Sequence, residues 1–522
     1  MVRLAMMRGA SKLDLLIVSP GDHKIIYQDL AAEYAALEPP IWAGLIANFA
    51  RHKGCSVDII DQQAEGLTPG DIVRRALDDR PRLVAILVYG QQPSASTQNM
   101  TMAGEIAAQF SEHAPEFKTI LIGGHVSAIP EPTMRETACD FVCEGEGPCT
   151  VDALLQLENM NDPSDYSKVP GLWYRRDGHI LNTNPAPVVP EKELPATLPG
   201  IAWDLLPMHA YRAHNWHCFS HIHDRSPYAS MYTSLGCPFR CTFCCINAPF
   251  GSAGLRCWDP KFVITELDLL ANRYRVKNIK IADEMFVLNE RHVLDLCDLI
   301  IERGYEFNFW AYARVDTVKD RFLEKLKKAG FNWLCLGIES RSNHVRAGVV
   351  KGQYSEEDIY DTVQRIKNAG IHAFGNYIFG LPDDTCESMQ ETLDLAVDLN
   401  CEMANFYCAA AYPGSKLYEM AKAKGWRLPE KWHDFSQHSY GQLPLPTETL
   451  PAGEVLAFRD KAWQIYFTNP RYLNLILEKF GREAVDHIAK LTTYTLRRKH
   501  AAPLRVEPCL RKDATEVKGV SV

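Results

Sequence analysis

The chain has 522 residues and carries 56 Lys and Arg against 65 Asp and Glu, a net charge of −9, with sixteen cysteines. That length predicts roughly two to four domains, and the negative balance argues against a general nucleic-acid partner. No apolar run is long enough to cross a bilayer, and the opening "MVRLAMMRGASKLDLLIVSP" has a short apolar stretch (13–18) without the small-residue cleavage site of a secretory signal. Many cysteines without an export signal point to the reducing cytoplasm, where clustered thiols more often hold metal or do chemistry than form disulfides.

Residues 10–160 alternate short β-branched runs with amphipathic segments. Strands are predicted at 13–20, 56–61, 83–90, 119–125 and 140–144, with helices at about 41–53, 70–79, 97–110 and 150–157. Gly54 stands where the first helix must stop. Strand–helix alternation predicts a doubly wound, Rossmann-like parallel sheet, whose ligands bind beyond the carboxyl ends of its strands. Glycines and polar residues collect at those ends: "SPGD", "YGQQPSAS", "GGH" and "EGEG". No G-x-G-x-x-G follows a strand, so the pattern is not that of a nicotinamide or flavin site.

Residues 161–226 are proline-rich, with a hairpin signal at Asp177-Gly178, and read as an ordered connector. His209, His214, His217, His221 and His223 cluster at its end, but their spacing matches no familiar ligand pattern and reads as packing.

Strand–helix rhythm returns over 227–430. Strands are predicted at about 231–235, 277–282, 308–313, 333–338, 373–379 and 405–411, and three helices end at Gly304, Gly330 and Gly370. Ser355 is an N-cap candidate ahead of a helix with Ile359, Val363 and Ile366 on one face. Six βα units fall short of the eight that close a barrel, so a partial (βα)6 barrel is predicted, its open side covered by another domain or a substrate. Residues 431–522 read as helices that cap the barrel, followed by a solvated basic end from Arg497 to Lys512.

"TSLGCPFRCTFCCINAPFG" (233–251) follows the first barrel strand, at the face where such folds place their chemistry. Cys237, Cys241 and Cys244 form C-x3-C-x2-C. Four thiolates would saturate a [4Fe–4S] cluster, whereas three leave one iron open to another ligand. A tetrahedral zinc site would need a fourth donor, Cys245 or a histidine, and adjacent cysteines rarely chelate one ion together. The position, spacing and flanking glycine weigh against chance clustering of buried thiols.

"CPFRCTFC" resembles the cluster loop of the radical S-adenosylmethionine (radical SAM) enzymes, including Phe243 before the third cysteine. The resemblance implies a [4Fe–4S] cluster on Cys237, Cys241 and Cys244, whose fourth iron is chelated by the amino and carboxylate groups of SAM and whose electron cleaves SAM to methionine and a 5′-deoxyadenosyl radical. "IADEMF" (281–286) stands in the place of the family's second-strand SAM motif. "ARVD", "GIES", "FGLPDDT" and "AYPGSKLY" resemble the cobalamin-binding subgroup, which includes class B methyltransferases and anaerobic porphyrin ester cyclases. SAM contacts are thereby expected from Phe243, Asp283, Glu284, Arg314 and Glu339; for the last four the alternative is an ion pair at the barrel rim.

The first domain is similar to the subgroup's cobalamin-binding half. Contacts are expected from Gln91, Ser94, Gly123, Gly124, His125, Glu144, Gly145 and Glu146. D-x-H-x-x-G, which supplies a histidine to cobalt elsewhere, is absent.

The resemblance implies a cobalamin-dependent radical SAM methyltransferase acting on an unactivated carbon of a small-molecule or lipid substrate, with an external flavodoxin- or ferredoxin-type electron donor. Alternatives are an oxidative cyclase with the same cofactors, a methylthiotransferase-like enzyme, and a non-catalytic iron–sulfur scaffold. The methylthiotransferase reading needs three placed N-terminal cysteines, and Cys55, Cys139, Cys143 and Cys149 lack that strand-end placement.

Overall fold

The computed structural model describes residues 13–90 and 92–502. β1 (Leu15–Ser19), β2 (Val57–Asp61), β3 (Leu83–Leu87), β4 (Lys118–Ile122) and β5 (Phe141–Cys143) are parallel. The hairpin β6 (Leu172–Arg176) and β7 (His179–Asn182) adds antiparallel to β5, giving the order β2-β1-β3-β4-β5-β6-β7. The hairpin at Asp177-Gly178 therefore belongs to the first sheet. The connector predicted from residue 161 begins as two further strands of that sheet.

Period-two geometry divides the core. Leu15, Ile17, Leu83 and Ala85 point to one face, where Ile41–His52 and Pro148–Leu155 cover them. Leu16, Val18, Val84 and Ile86 point to the other, covered by Pro69–Asp79 and Ala95–His113. The first core is continuous with that of the barrel, so the sheet is docked through one face rather than tethered.

The second sheet is an open parallel array in the order β15-β14-β13-β12-β11-β8. Its strands are β8 (Tyr228–Met231), β11 (Asn278–Ile281), β12 (Asn308–Arg314), β13 (Phe331–Glu339), β14 (His372–Phe379) and β15 (Met403–Cys408). A partial six-unit barrel results. The predicted strand at 231–235 is divided: β8 ends at Met231, and β9 (Ser234–Leu235) turns out to pair antiparallel with β10 (Arg256–Cys257). The division follows from Asp283, which takes Thr233 N–H (2.6 Å) and the hydroxyls of Thr233 (2.6 Å) and Ser234 (2.7 Å) away from the parallel ladder.

Helices Ala452–Phe467, Pro470–Phe480 and Arg482–Leu491 close the β15 side. Arg459 Nε donates to Phe406 O (2.7 Å) and Tyr466 OH to Cys401 O (2.7 Å). In the described part of the basic end Arg497 and Lys499 are exposed, as expected of a solvated tail, while Arg498 turns its side chain inward. Arg498 is buried, donating to Asp460 (2.9 Å) and Gln442 (2.8 Å); residues 503–512 of that run lie outside the described residues.

Candidate active site

The cysteine loop starts from a backbone that only glycine supplies easily. Gly236 has φ +84°, and a Cβ there would meet Gly254 O at 2.7 Å. Further backbone bonds set the loop: Gly254 N to Cys237 O (3.2 Å), Cys244 N to Cys241 O (3.0 Å), Thr242 N to Val349 O (3.0 Å) and Leu417 N to Thr242 O (2.8 Å). The last two bonds fasten the loop to segments that follow β13 and β15.

Burial pushes the Cys237 thiol up to about 11 and the Cys244 thiol well above its usual value, with Cys241 nearby adding to both shifts. Such thiols are poor ligands until a metal displaces their protons. Arg314 supplies compensating charge, with Nη1 3.6 Å from Cys241 Sγ. Among the described residues no group of three or more His, Cys, Asp or Glu side chains converges as a single-ion site requires. Three thiols on one loop without a fourth donor fit a cluster whose irons each take one sulfur.

The adjacent carboxylates of "IADEMF" differ in what they meet. Asp283 is fully buried and both its oxygens are occupied by Thr233 and Ser234, with His292 Nε2 bonded in turn to Thr233 Oγ1 (2.9 Å). Expected as a SAM contact, Asp283 here braces the approach to the cysteine loop. Glu284 keeps a buried Oε2 with no partner in the protein, and burial pushes its carboxyl up to about 8. It lines a small void with Tyr232, Cys245, Gln92 and Gly124. An unpaired buried acceptor there fits the ammonium group of SAM.

Arg314 and Glu339 are also occupied. Arg314 chelates Asp316 through Nε and Nη2 (both 2.9 Å), donates to Lys351 O and stacks on Phe239, 3.8 Å from the ring centre. Glu339 pairs with Lys351 (2.5 Å) at a strand irregularity with φ +65°. Both side chains, expected as SAM contacts or rim ion pairs, are held in ion pairs at the loop and rim. Phe243 packs between an apolar patch with Ala411 and Tyr418 and another with Val345 and Leu381.

The Rossmann-like edge faces this mouth. Gly124 lines the same void as Glu284, and a Cβ there would make only ordinary contact with Ser96 at 3.6 Å. Gly123 instead packs on Val88, whose carbonyl a Cβ would meet at 2.2 Å. His125 is buried, with Nδ1 3.2 Å from Thr97 Oγ1 and its ring 4.5 Å from that of Trp432. Burial lowers its pKa to about 3, leaving a neutral ring beneath an indole. Glu144 accepts from Trp173 Nε1 (2.7 Å), Gly145 N donates to Ser127 (3.0 Å), and Glu146 accepts from Val189 N (2.7 Å) and Arg256 (2.6 Å). The carboxylates, expected as cobalamin contacts, here fasten the hairpin and the β9–β10 pair. Gln91 lies outside the described residues.

Ser94 and Gln92 line a cavity of about 650 Å³ that runs from this edge into the barrel, where Lys280, Tyr312, Asn376 and Asn405 face it. The neutral hydrogen-bonding groups at its outer end, Ser94, Gln92, Gln98 and Tyr27, suit the amide-fringed edge of a corrin. Sequence reasoning missed Phe239, Lys351, Trp432 and the buried Lys280–Glu38 pair (3.1 Å). Lys280 carried a signal: a lysine in mid-strand "NIKI" with apolar neighbours needs a buried partner. Glu38, 242 residues earlier, carried none.

Residues 231–396 match the radical SAM superfamily and residues 27–155 the B12 binding domain. An uncharacterized methyltransferase of Pyrococcus horikoshii is 32% identical over 400 residues, covering 76% of this chain and 82% of its own. The chain belongs to the cobalamin-binding radical SAM family. The anaerobic magnesium-protoporphyrin IX monomethyl ester cyclase of Rubrivivax gelatinosus is 23% identical over 453 residues, covering 86% of this chain and 77% of its own. The fold is shared with the radical SAM methyltransferase TsrM of Kitasatospora setae, solved with cobalamin and a [4Fe–4S] cluster (TM-score 0.61, 17% identity, 79% of this chain and 75% of that one). This protein is thus a radical SAM enzyme of a methyltransferase family, with a [4Fe–4S] cluster, SAM and cobalamin as cofactors. Like other radical SAM enzymes it needs a reductant. Among the described residues no helix is long and apolar enough to cross a membrane.

Proposed function

We propose that this enzyme moves the methyl group of SAM, by way of cobalamin, to an unactivated carbon of a small-molecule or lipid substrate, with electrons from a flavodoxin- or ferredoxin-type donor. The observation that carries the reading is one juxtaposition. The cysteine loop and the unpartnered Glu284 face the Rossmann-like edge across a shared void, and the 650 Å³ cavity opens beside it through Gln92. When bound, the cluster and SAM supply hydrogen abstraction and cobalamin supplies the methyl group.

The protein's own groups divide the remaining tasks. Cys237, Cys241 and Cys244 hold the cluster and leave one iron open. Glu284 accepts from the SAM ammonium group, while Asp283, Arg314 and Phe239 keep the loop in place. Phe243 shields the loop from solvent with the apolar residues packed on it. Gly124, Ser94 and Gln91 are the proposed cobalamin contacts, Gly124 because it lines the void that Glu284 also lines.

The relationship to the magnesium-protoporphyrin ester cyclase supports a second reading, in which the same cofactors drive oxidation or ring formation without methyl transfer. Reconstituted enzyme given reductant, methyl-labelled SAM and a metabolite extract separates the two. Label in a new product supports transfer. A new product without label, with all label kept in methionine or unreacted SAM, supports the cyclase-like route.

A further inference from the structure

The 650 Å³ cavity has a wall that neither matched family segment contributes. Arg459, Trp463 and Phe467 project from Ala452–Phe467, and His487, Ile488 and Leu491 from Arg482–Leu491, both beyond residue 396. The opposite wall is the barrel interior, where Trp216, Trp310 and Phe374 present aromatic surface. Ring pairs Trp216–Phe374 (4.8 Å) and Trp216–Trp310 (5.2 Å) hold that surface rigid at one end.

Charge inside the cavity is already paired. Lys280 binds Glu38 at 3.1 Å, and Arg459 binds Asp460 at 2.7 Å, which Arg498 also holds at 2.9 Å. Lys461, the remaining Lys or Arg side chain among the described lining residues, is exposed. Burial keeps the lining histidines neutral, with His214 lowered to about 3, His487 to about 4 and His438 well below its usual value. A carboxylate or phosphate entering this space would lose its hydration and meet no cation of its own.

Three polar atoms on the described wall have no partner in the protein: Trp310 Nε1, the Tyr34 hydroxyl and Asn215 Oδ1. Asn215, more than nine-tenths buried on the cavity wall, has an Oδ1 without a partner in the protein. Such an acceptor is costly to bury alone and is satisfied by a donor from a ligand.

We propose that this cavity is the substrate chamber, that it takes an uncharged small molecule with an aromatic or alicyclic skeleton and a hydroxyl or N–H donor for Asn215, and that the two C-terminal helices select the skeleton. This rests on the proposed function, which requires a substrate beside the cofactors. It narrows that reading by excluding nucleotides, phosphate esters and free acids as the buried portion.

Two probes test it: N-phenyl-1-naphthylamine is uncharged, and 8-anilino-1-naphthalenesulfonate has the same skeleton with a sulfonate. Their fluorescence is titrated with the holoenzyme. The uncharged probe is expected to bind at least about tenfold more tightly. Leu491→Trp and Gln464→Trp, half-buried wall positions on different helices, each fill space and should weaken its binding by about fivefold or more. Neither should change 5′-deoxyadenosine formation from SAM by more than about twofold, because neither position is in the cofactor machinery. Equal affinity for the two probes, no binding of the uncharged one, or unchanged binding in both variants would overturn the proposal. Probe discrimination that holds in a holoenzyme forming no 5′-deoxyadenosine would support the chamber and count against the proposed function instead.

Discussion

The barrel mouth and the Rossmann-like edge face each other, yet they handle polar groups in opposite ways. The mouth keeps groups unspent: three thiols on one loop, and a Glu284 oxygen with no partner. At the edge, the charged residues that looked most like ligands turn inward. Glu144 holds Trp173 and Glu146 holds Arg256 and Val189, while the neutral His125 packs on Trp432 and keeps only its Nε2 unpartnered. A site that binds metal and an ammonium group needs named side chains, whereas one that receives a broad, neutral ring system is built from backbone approach and shape.

The largest test of that contrast removes the thiols. Cys237→Ala, Cys241→Ala and Cys244→Ala should each cost most of the cluster iron and lower 5′-deoxyadenosine formation by at least about a thousandfold. Cys245→Ala should keep the cluster, because its thiol faces the interdomain void with Trp42 and Tyr89. Iron and sulfide analysis with EPR of the anoxically reconstituted protein reads this. Loss of the cluster in the Cys245 variant alone would move the ligand set.

Next in size is the pair of neighbours, Asp283 and Glu284. Glu284→Gln should weaken SAM binding by about 10- to 100-fold, the cost of replacing a charge-assisted hydrogen bond, with little change in unfolding temperature. Asp283→Asn should do the reverse. It puts an amide donor where three donors already converge, and should cost about 2–4 kcal/mol of stability. Calorimetric SAM titration and urea unfolding of both variants separate the two roles, and a matching pattern in both would erase the distinction.

At the edge, Glu146→Gln should lower stability by about 1–3 kcal/mol, because the buried carboxylate loses its charge pairing with Arg256. Cobalamin retained by the folded variant should stay within about twofold of the unaltered protein if the carboxylate only joins β10 to the first domain. A selective loss of cobalamin from a stably folded variant would return Glu146 to the ligand set and collapse the contrast.

Much of the fold was legible because local pattern and tertiary outcome agree. The apolar runs that became β1, β3 and β4 are buried on both faces, and Gly304, Gly330 and Gly370 all take positive φ where helices end. The cysteine loop was legible because its chemistry lies within eight consecutive residues, Cys237 to Cys244. Where reading failed, the deciding partner is distant in sequence. The division at β8 and β9 is set by Asp283, fifty residues on. Glu146 is claimed by Arg256, and Arg498 is drawn inward by Asp460. Glycines gave mixed guidance for the same reason: a Cβ at Gly123 would strike Val88 O just beyond β3, while one at its neighbour Gly124 would only touch Ser96.

The last test uses pH. Asp61, at the end of β2 on the same edge, is buried with Tyr211 OH donating to Oδ2 at 2.9 Å, and burial pushes its carboxyl up to about 6. A folded-state value above the unfolded one means that the folded form holds its proton longer. Stability from this group is then fully present below the ordinary carboxylate range and is lost as pH rises through about 6. Urea unfolding from pH 4 to 7.5 should show the wild type losing about 1–3 kcal/mol relative to Asp61→Asn, whose amide does not titrate. Parallel curves for the two proteins would mean that Asp61 is hydrated and free to face a ligand. The edge would then hold an unspent charge after all, as the mouth does.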